Sequence, residues 1–246
     1  MMLIGVIGSY AYDFEVDGIY YNITKNSKGR MEVEVTYKDK NYNSYSGDVV
    51  VPDNVAYEGN NYKVVAIGNS AFKNCQDLTG VDLPEGVKKV KGNAFNKCSN
   101  LRKLKANVSI IGGGISIIDD PTTLSQLTFV GEGKVSEDSY KNYENLVILK
   151  FGDGITEIGE DAFKRCKSLV SVSFGAKLRS IGEDAFSKCI SLRDVYCYNE
   201  IPPLSKDADQ FNVKTYSEAV LHVPAGAVSA YQIHTPWSRF KNIEGF

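Results

Sequence analysis

Four cysteines recur in matched settings and are the first candidates for chemistry. They close the segments "AFKNC" (71–75), "AFNKC" (94–98), "AFKRC" (162–166) and "AFSKC" (185–189). Thiolates can ligate a metal, but such a site needs ligands that converge on one point. One cysteine per segment, with no CxxC pair, indicates a row of parallel side chains that is equally unsuited to disulfides. We therefore predict buried, reduced thiols that pack as small apolar groups, with no metal and no cofactor.

The chain has few residues of the types that form acid–base or nucleophilic catalytic sites. It contains two histidines, His222 and His234, and no GxSxG or HExxH motif. Asp119 and Asp120 could bind a cation, although two carboxylates before a proline are also typical of a solvated turn. The run "GGG" (112–114) lacks the Lys-Ser/Thr of a phosphate loop. This scarcity of catalytic residues and motifs predicts that the protein is not an enzyme.

A basic stretch is the clearest charge feature. The span 86–118 has no acidic residue, and the segments "VKKVKG" (87–92) and "LRKLKA" (101–106) share the order apolar-basic-basic-apolar-basic. Two interpretations stay open, a site for a heparin-like polyanion or a solvated face. The formal net charge of −2 predicts no strong attraction to nucleic acid. The basic residues are Lys88, Lys89, Lys91, Lys97, Arg102, Lys103 and Lys105.

An internal repeat determines which elements carry these residues. Each of six units begins with the pattern L-x-x-[VL]-x-apolar, and the spacings between the leucines are 23, 23, 22, 23 and 23. A coil of this length cannot bury its apolar strand alone, so the coils must stack and pair their strands in parallel. The period predicts an α/β leucine-rich-repeat solenoid with a parallel concave sheet and short helical turns outside. The first leucines are Leu78, Leu101, Leu124, Leu146, Leu169 and Leu192.

Two of the six units depart from the pattern. The third has "IIDDPTT" (117–123) in place of the "AFxxC" segment, and the fourth has Tyr140 and Tyr143 in the Phe and Cys positions. Glu132 falls where an apolar residue belongs. We therefore expect a local bulge or loop near 106–138.

The ends of the chain differ from its middle, as the caps of a solenoid must. We divide the chain into a degenerate signal-like segment (1–11), an N-terminal antiparallel β-cap (12–62), six repeats (63–198) and a C-terminal α+β cap (199–246). The first cap has an Asp17-Gly18 hairpin turn and further strands at 31–37 and 47–52. The second has a strand at 219–223, a helix at 226–233 and an aromatic seal from Trp237 and Phe240. No apolar run is long enough to span a membrane.

The repeat and both caps resemble the BspA-type leucine-rich-repeat proteins of bacteria, which are found especially in host-associated Bacteroidetes. The matching segments are 64–98 and 155–189, with 14–23 and 223–243 for the caps. The resemblance implies a secreted or cell-surface protein, associated with the outer membrane, that mediates adhesion without catalysis. Its expected partner is a protein or glycan. The alternatives are polyanion binding through 87–105, a structural spacer or, less favoured, a secreted hydrolase; the sequence does not predict the oligomeric state.

The candidate binding residues follow from the strand pattern. In L-x-x-L-x-L the second and third x positions point to solvent, and solenoids commonly bind ligands on this surface. Ile148 and Tyr196 are the only apolar members of the set. Together with the basic stretch, the candidates are Lys88, Lys89, Lys91, Arg102, Lys103, Lys105, Ile148, Lys150 and Tyr196.

Overall fold

The computed structural model describes residues 11–27, 29–205 and 210–246. The signal-like segment therefore lies outside the described residues except for Ala11. These described ranges contain three α-helices, α1 (Val108–Ile111), α2 (Val213–Glu218) and α3 (Val228–Ile233). Short 3-10 helices cover Pro121–Thr123, Ala225–Ala227 and Trp237–Arg239. The strands are β1 Phe14–Val16, β2 Ile19–Ser27, β3 Arg30–Thr36, β4 Gly47–Val50, β5 Asn54–Tyr57, β6 Asn60–Ile67, β7 Leu78–Asp82, β8 Lys89–Val90, β9 Lys103–Asn107, β10 Gln126–Val130, β11 Gly133–Val135, β12 Ile148–Phe151, β13 Ile155–Ile158, β14 Ser171–Phe174, β15 Ser180–Ile181, β16 Asp194–Cys197, β17 Leu204–Ser205, β18 Val220–Val223 and β19 Asn242–Gly245.

One nine-stranded sheet runs the length of the solenoid and is called the concave sheet below. Its order is β19-β18-β16-β14-β12-β10-β9-β7-β4, and all its pairs are parallel. The inward residues of successive coils stack in register, as Leu127, Leu149, Val172 and Val195 do. All four are fully buried. The predicted leucine-rich-repeat solenoid is confirmed.

The outer side of the coils differs from the predicted helical turns. The "AFxxC" segments form hydrogen-bonded turns, and each turn places two residues in the left-handed region, so the right-handed helical conformation cannot continue. In one coil these residues are Asp184, with φ 53°, and Lys188, with φ 63°. Neighbouring turns also bond to each other, since Phe163 N–H donates to the Ala185 carbonyl at 2.8 Å. The turns therefore add a second column of inter-coil hydrogen bonds.

An aromatic column fills the space behind these turns. Phe163 stacks on Tyr140 at 5.1 Å and on Phe186 at 5.5 Å, with nearly parallel rings. Phe72 and Phe95 stack in the same way at 4.9 Å. In the third unit the chain bridges Phe95 to Ile118, which takes the aromatic position. The degenerate "IIDDPTT" segment thus keeps an apolar plug of smaller size.

The region near 106–138 contains α1 rather than an open loop. Asn107 caps this helix by accepting from Ser109 N at 2.9 Å and donates to the Glu85 carbonyl at 2.8 Å. The Tyr140 hydroxyl donates to the Ile111 carbonyl and ties α1 to the next unit. Glu132 is exposed. A second, four-stranded parallel sheet, in the order β11-β13-β15-β17, begins within this region at β11.

The first strands form a separate sheet in the order β1-β2-β3-β6-β5. Its β1–β2 hairpin turns at Asp17 and Gly18 as predicted, and both residues have positive φ. Two features depart from a purely antiparallel cap. Strands β3 and β6 pair in parallel, and β4 leaves the cap to pair with β7 at the edge of the concave sheet. Val51, directly after β4, is buried, which fixes this strand against the core.

The last strands of the concave sheet belong to the C-terminal segment. Strand β18 lies where a strand was expected at 219–223, and α3 covers most of the predicted helix. The sequence did not predict α2 or β19. Trp237 and Phe240 are buried, and the Trp237 indole N–H donates to the Pro203 carbonyl at 2.9 Å. The aromatic seal therefore also holds the loop that follows β16.

Candidate ligand-binding face

The cysteines are built into the core. All five are buried and free. The Cys98 thiol donates to the Phe72 carbonyl at 2.9 Å, and the Cys166 thiol donates to the Tyr140 carbonyl at 3.3 Å. Burial raises the pKa of Cys98 to about 12, so its nucleophilic thiolate is not formed near neutral pH. These groups connect coils and are unsuited to surface chemistry.

The histidines and the paired aspartates also have local structural partners. His222 Nε2 lies 3.1 Å from Asp194 Oδ1, and His234 Nδ1 lies 2.8 Å from the Ala230 carbonyl. Asp119 accepts from Lys97 N at 2.8 Å, and Asp120 accepts from the Thr122 hydroxyl at 2.6 Å. Within the described ranges no three His, Cys, Asp or Glu side chains come together as metal ligands. The aspartates are therefore turn and capping residues.

The basic stretch is divided between two surfaces. Lys88 and Lys89 are exposed beside the first sheet, where β8 pairs with β6. Lys103 and Lys105 stand on the concave sheet instead. Three of the lysines meet acids from preceding segments: Lys91 and Glu34 at 2.5 Å, Lys103 and Asp48 at 2.7 Å, and Lys105 and Asp82 at 2.8 Å. Arg102 donates to the carbonyls of Ser99 and Leu101 at 3.0 and 3.1 Å.

The outward side chains of the concave sheet form two rows, and each strand from β9 to β18 contributes one residue to each row. Every member from β9 to β18 is at least partly exposed. The three remaining candidates, Ile148, Lys150 and Tyr196, lie in these rows on β12 and β16. The first row is Lys103, Gln126, Ile148, Ser171, Asp194 and Val220. The second row is Lys105, Thr128, Lys150, Ser173, Tyr196 and His222.

The sequence places Asp194 on this face but does not predict that His222 lies beside it. The Tyr196 and His222 rings stack with centroids 4.3 Å apart and planes 12° apart, and Asp194 pairs with His222 from the other row. The sequence places β18 in the C-terminal cap, outside the six repeats, so the outward residue of this strand is not among the candidates. The alternation in "VLHV" (220–223) was the available signal, because it places His222 on the same face as the repeat strands.

A second exposed surface lies beside the concave sheet, at the loop after β16. Ile201 and Leu204 are 79% and 76% exposed, and the Tyr198 and Phe246 rings contact each other nearby at 5.2 Å. The loop is held in place by the bond from Trp237 and by Asn199 Nδ2, which donates to the Leu178 carbonyl at 2.7 Å. We call residues 198–204 the apolar loop.

The stacked parallel coils and the exposed sheet define a leucine-rich-repeat solenoid. The chain belongs to the BspA-type leucine-rich-repeat family, whose model matches residues 59–132 and 124–214 in six copies. No helix in the described ranges has the length and hydrophobicity to cross a bilayer. No curated protein matches the chain significantly.

Several solved structures are similar to the chain at low identity. A leucine-rich repeat protein from Bacteroides ovatus shares 20% identity over 96% of this chain and 77% of its own, with a TM-score of 0.36. The T. pallidum leucine-rich repeat protein shares 18% identity over 85% and 86%, with a TM-score of 0.44. A leucine-rich cell surface protein from Faecalibacterium prausnitzii shares 13% identity over 94% of each chain, with a TM-score of 0.34.

Proposed function

We propose that this protein is a non-enzymatic, secreted or cell-surface binding protein that presents its concave sheet to a host or matrix protein or to a glycan. Membership of the BspA-type family supports a binding role. The observation that carries the proposal is the unbroken exposure of the outward side chains from β9 to β18. A parallel sheet is normally covered on both faces, so an exposed face of this length is available to another molecule.

The arrangement of polar groups supports binding over catalysis. On this face the one histidine is occupied by Asp194 and by the Tyr196 ring. Ser173 lies on β14, two strands from His222, which is roughly 9.6 Å between backbones and beyond hydrogen-bond reach of a nucleophile and its base. A mixed surface of hydroxyl, charged and aromatic groups suits broad contact with a macromolecule.

The test is an array of purified matrix proteins and glycans probed with the wild type and two double variants. Lys150→Glu with Tyr196→Ala alters the concave face, and Ile201→Ser with Leu204→Ser alters the apolar loop. We expect the first pair to abolish binding and the second to retain it. Loss of binding only in the apolar-loop variant would contradict the proposal. Absence of any ligand for the wild type would leave the spacer role as the better account.

The polyanion alternative is tested separately on immobilised heparin. It depends on Lys88 and Lys89, which make no ion pair with any described residue. If the basic stretch is the site, Lys88→Glu with Lys89→Glu will lose heparin retention, and raising the salt from about 0.15 M to 1 M will release the wild type. If heparin retention is lost in the Lys150→Glu, Tyr196→Ala variant and not in the Lys88→Glu, Lys89→Glu variant, the anion site lies on the concave sheet.

A further inference from the structure

The outward side chains on β14 are small while those on both neighbouring strands are larger, and we call the space above β14 the slot. Ser171 and Ser173 form its floor, and both are partly exposed. The neighbouring strands β12 and β16 carry larger residues, so the walls stand two strand spacings apart, roughly 9.6 Å between backbones. In register, the walls are Ile148 opposite Asp194 and Lys150 opposite Tyr196.

One wall of the slot is a fixed aromatic ring. Tyr196 stacks on His222 with an angle of 12° between the planes, and His222 lies on β18, away from the slot. The opposite face of the Tyr196 ring is therefore directed over Ser173. Asp194 bonds to His222 at 3.1 Å and holds this stack in position. A flat ligand entering the slot meets the negative face of a ring that is already oriented.

The other wall carries a cation without a counter-charge. Lys103 and Lys105, on the same sheet, are paired with Asp48 and Asp82. Lys150 is exposed and makes no ion pair within the described parts of the chain. It lies on the strand next to the serine floor. The slot therefore combines an oriented aromatic face, free hydroxyl groups and an available positive charge.

From this combination we infer that the slot binds an acidic sugar, a pyranose unit that carries a carboxylate or sulfate group. The C–H face of the ring would lie on Tyr196, where the partly positive hydrogens meet the negative ring face. The serine hydroxyls would exchange hydrogen bonds with the sugar hydroxyls, since neither side chain bonds to another described residue. Lys150 would pair with the anionic substituent. This inference rests on the proposed function and names the ligand class of the same face.

An acidic peptide is the main competing occupant, because Lys150 would also attract a carboxylate side chain. The serine floor favours the sugar. A peptide that adds to a sheet uses backbone hydrogen bonds at an edge, and β14 is an interior strand whose backbone is paired on both sides. The slot therefore offers side-chain hydroxyls, which match the closely spaced hydroxyls of a saccharide.

The experiment measures binding of methyl β-glucuronide to the full chain by ligand-observed NMR and calorimetry. Methyl β-glucoside, inorganic sulfate and an acidic peptide serve as comparison probes. Ser173→Tyr fills the slot with a residue that strands accept readily. Gln126→Tyr is the matched control, since it adds the same side chain to the same face on β10, outside the Lys150 wall. Thermal melting verifies that each variant folds.

We expect the glucuronide to bind the wild type and Gln126→Tyr equally and to lose measurable binding to Ser173→Tyr. Tyr196→Ala should weaken binding at least about tenfold, and Lys150→Met should reduce the preference for glucuronide over glucoside. Equal binding to Ser173→Tyr would overturn the inference. So would binding of sulfate or the acidic peptide that matches the glucuronide in strength.

The outcome for the slot is separable from the outcome for the proposed function. If Ser173→Tyr still binds its array ligand while the concave-face double variant does not, the concave sheet is the binding face and the sugar slot is wrong. If no variant of the face changes array binding, the proposed function itself is contradicted.

Discussion

The thiol of Cys189 donates a hydrogen bond to the carbonyl oxygen of Phe163, 3.2 Å away on the preceding coil. That same carbonyl accepts from the Cys166 N–H within its own turn, also at 3.2 Å. Cys98 and Cys166 make the equivalent contact, because each thiol donates to a carbonyl on the coil that precedes its own. The repeated cysteine is therefore more than a small apolar plug, because it also joins adjacent coils through a buried carbonyl.

Replacing Cys189 tests this dual role. Cys189→Ala removes both the sulfur volume and the donor, so we expect a loss of about 1–2 kcal/mol in the free energy of unfolding. Ligand binding to the concave face should not change, since the side chain is fully buried behind the sheet. Urea unfolding followed by circular dichroism measures the first effect. An unchanged unfolding midpoint would show that neither volume nor hydrogen bond matters at this position.

An ionic ladder along the outer turns gives a second prediction. Lys164 lies 2.7 Å from both Asp161 and Asp184, and Lys141 lies 2.9 Å from Asp161, so charges alternate across three coils. We expect Lys164→Met to destabilise the fold by about 1 kcal/mol because it leaves two partly buried carboxylates without their shared cation.

Lys167 provides the matched control for that variant. It belongs to the same coil and pairs with Glu144 at 2.6 Å, but both side chains are more than half exposed. Lys167→Met should therefore change the free energy of unfolding by less than about 0.5 kcal/mol. Equal effects of the two substitutions, measured by urea unfolding at low salt, would mean that the ladder is no stronger than an ordinary surface pair.

The same ladder predicts an acid-dependent loss of stability at Asp161. Burial alone would raise the pKa of this carboxyl, but hydrogen bonds and charge from Lys164 and Lys141 outweigh it and lower the pKa. A group whose pKa is lower in the folded state stabilises above its unfolded pKa, about 3.9, and that contribution is lost as pH falls through the folded value. Asp161→Asn should therefore flatten the decline of the unfolding free energy below about pH 4.

The control for this low-pH experiment is Glu144→Gln, which removes an exposed carboxylate of the same outer surface. The acid profiles of this variant, of Asp161→Asn and of the wild type are compared between about pH 4 and pH 2. A profile of Asp161→Asn that parallels the wild type throughout this range would contradict the linkage.

The left-handed residues of the outer turns give the last prediction. Lys188 is exposed and has φ 63°, a conformation in which a β-carbon costs about 1 kcal/mol. Lys188→Gly should stabilise the fold by up to about 1 kcal/mol, and Lys188→Val should destabilise it by at least that amount because of its branched β-carbon. Thermal melting compares the two. If Gly and Val shift the melting temperature in the same direction, backbone strain does not control this turn.

Much of the fold could be predicted because its signals are local. The spacing of Leu101 and Leu104 on one strand requires a buried inner face, and the return of that pattern after 23 residues requires parallel stacking. The outer segments form single hydrogen-bonded turns and do not extend into helices, because the turn shape depends on two left-handed residues. Lys97 and Arg165 carry no sequence signal for that conformation. Strand β19 was missed because its sequence, "NIEG", has no repeat pattern.

By itself, the sequence determined the solenoid, its inward residues and the list of outward ones, since each follows from an apolar period within one coil. Only the tertiary structure decided which outward charges remain available. Asp48 lies 55 residues from Lys103 and outside the repeat period, yet β4 joins the sheet and brings the two within 2.7 Å. The slot between Lys150 and Tyr196 likewise exists only across three stacked strands. Charge pairing and cavity shape depend on strand register, which is set when the coils and caps pack together.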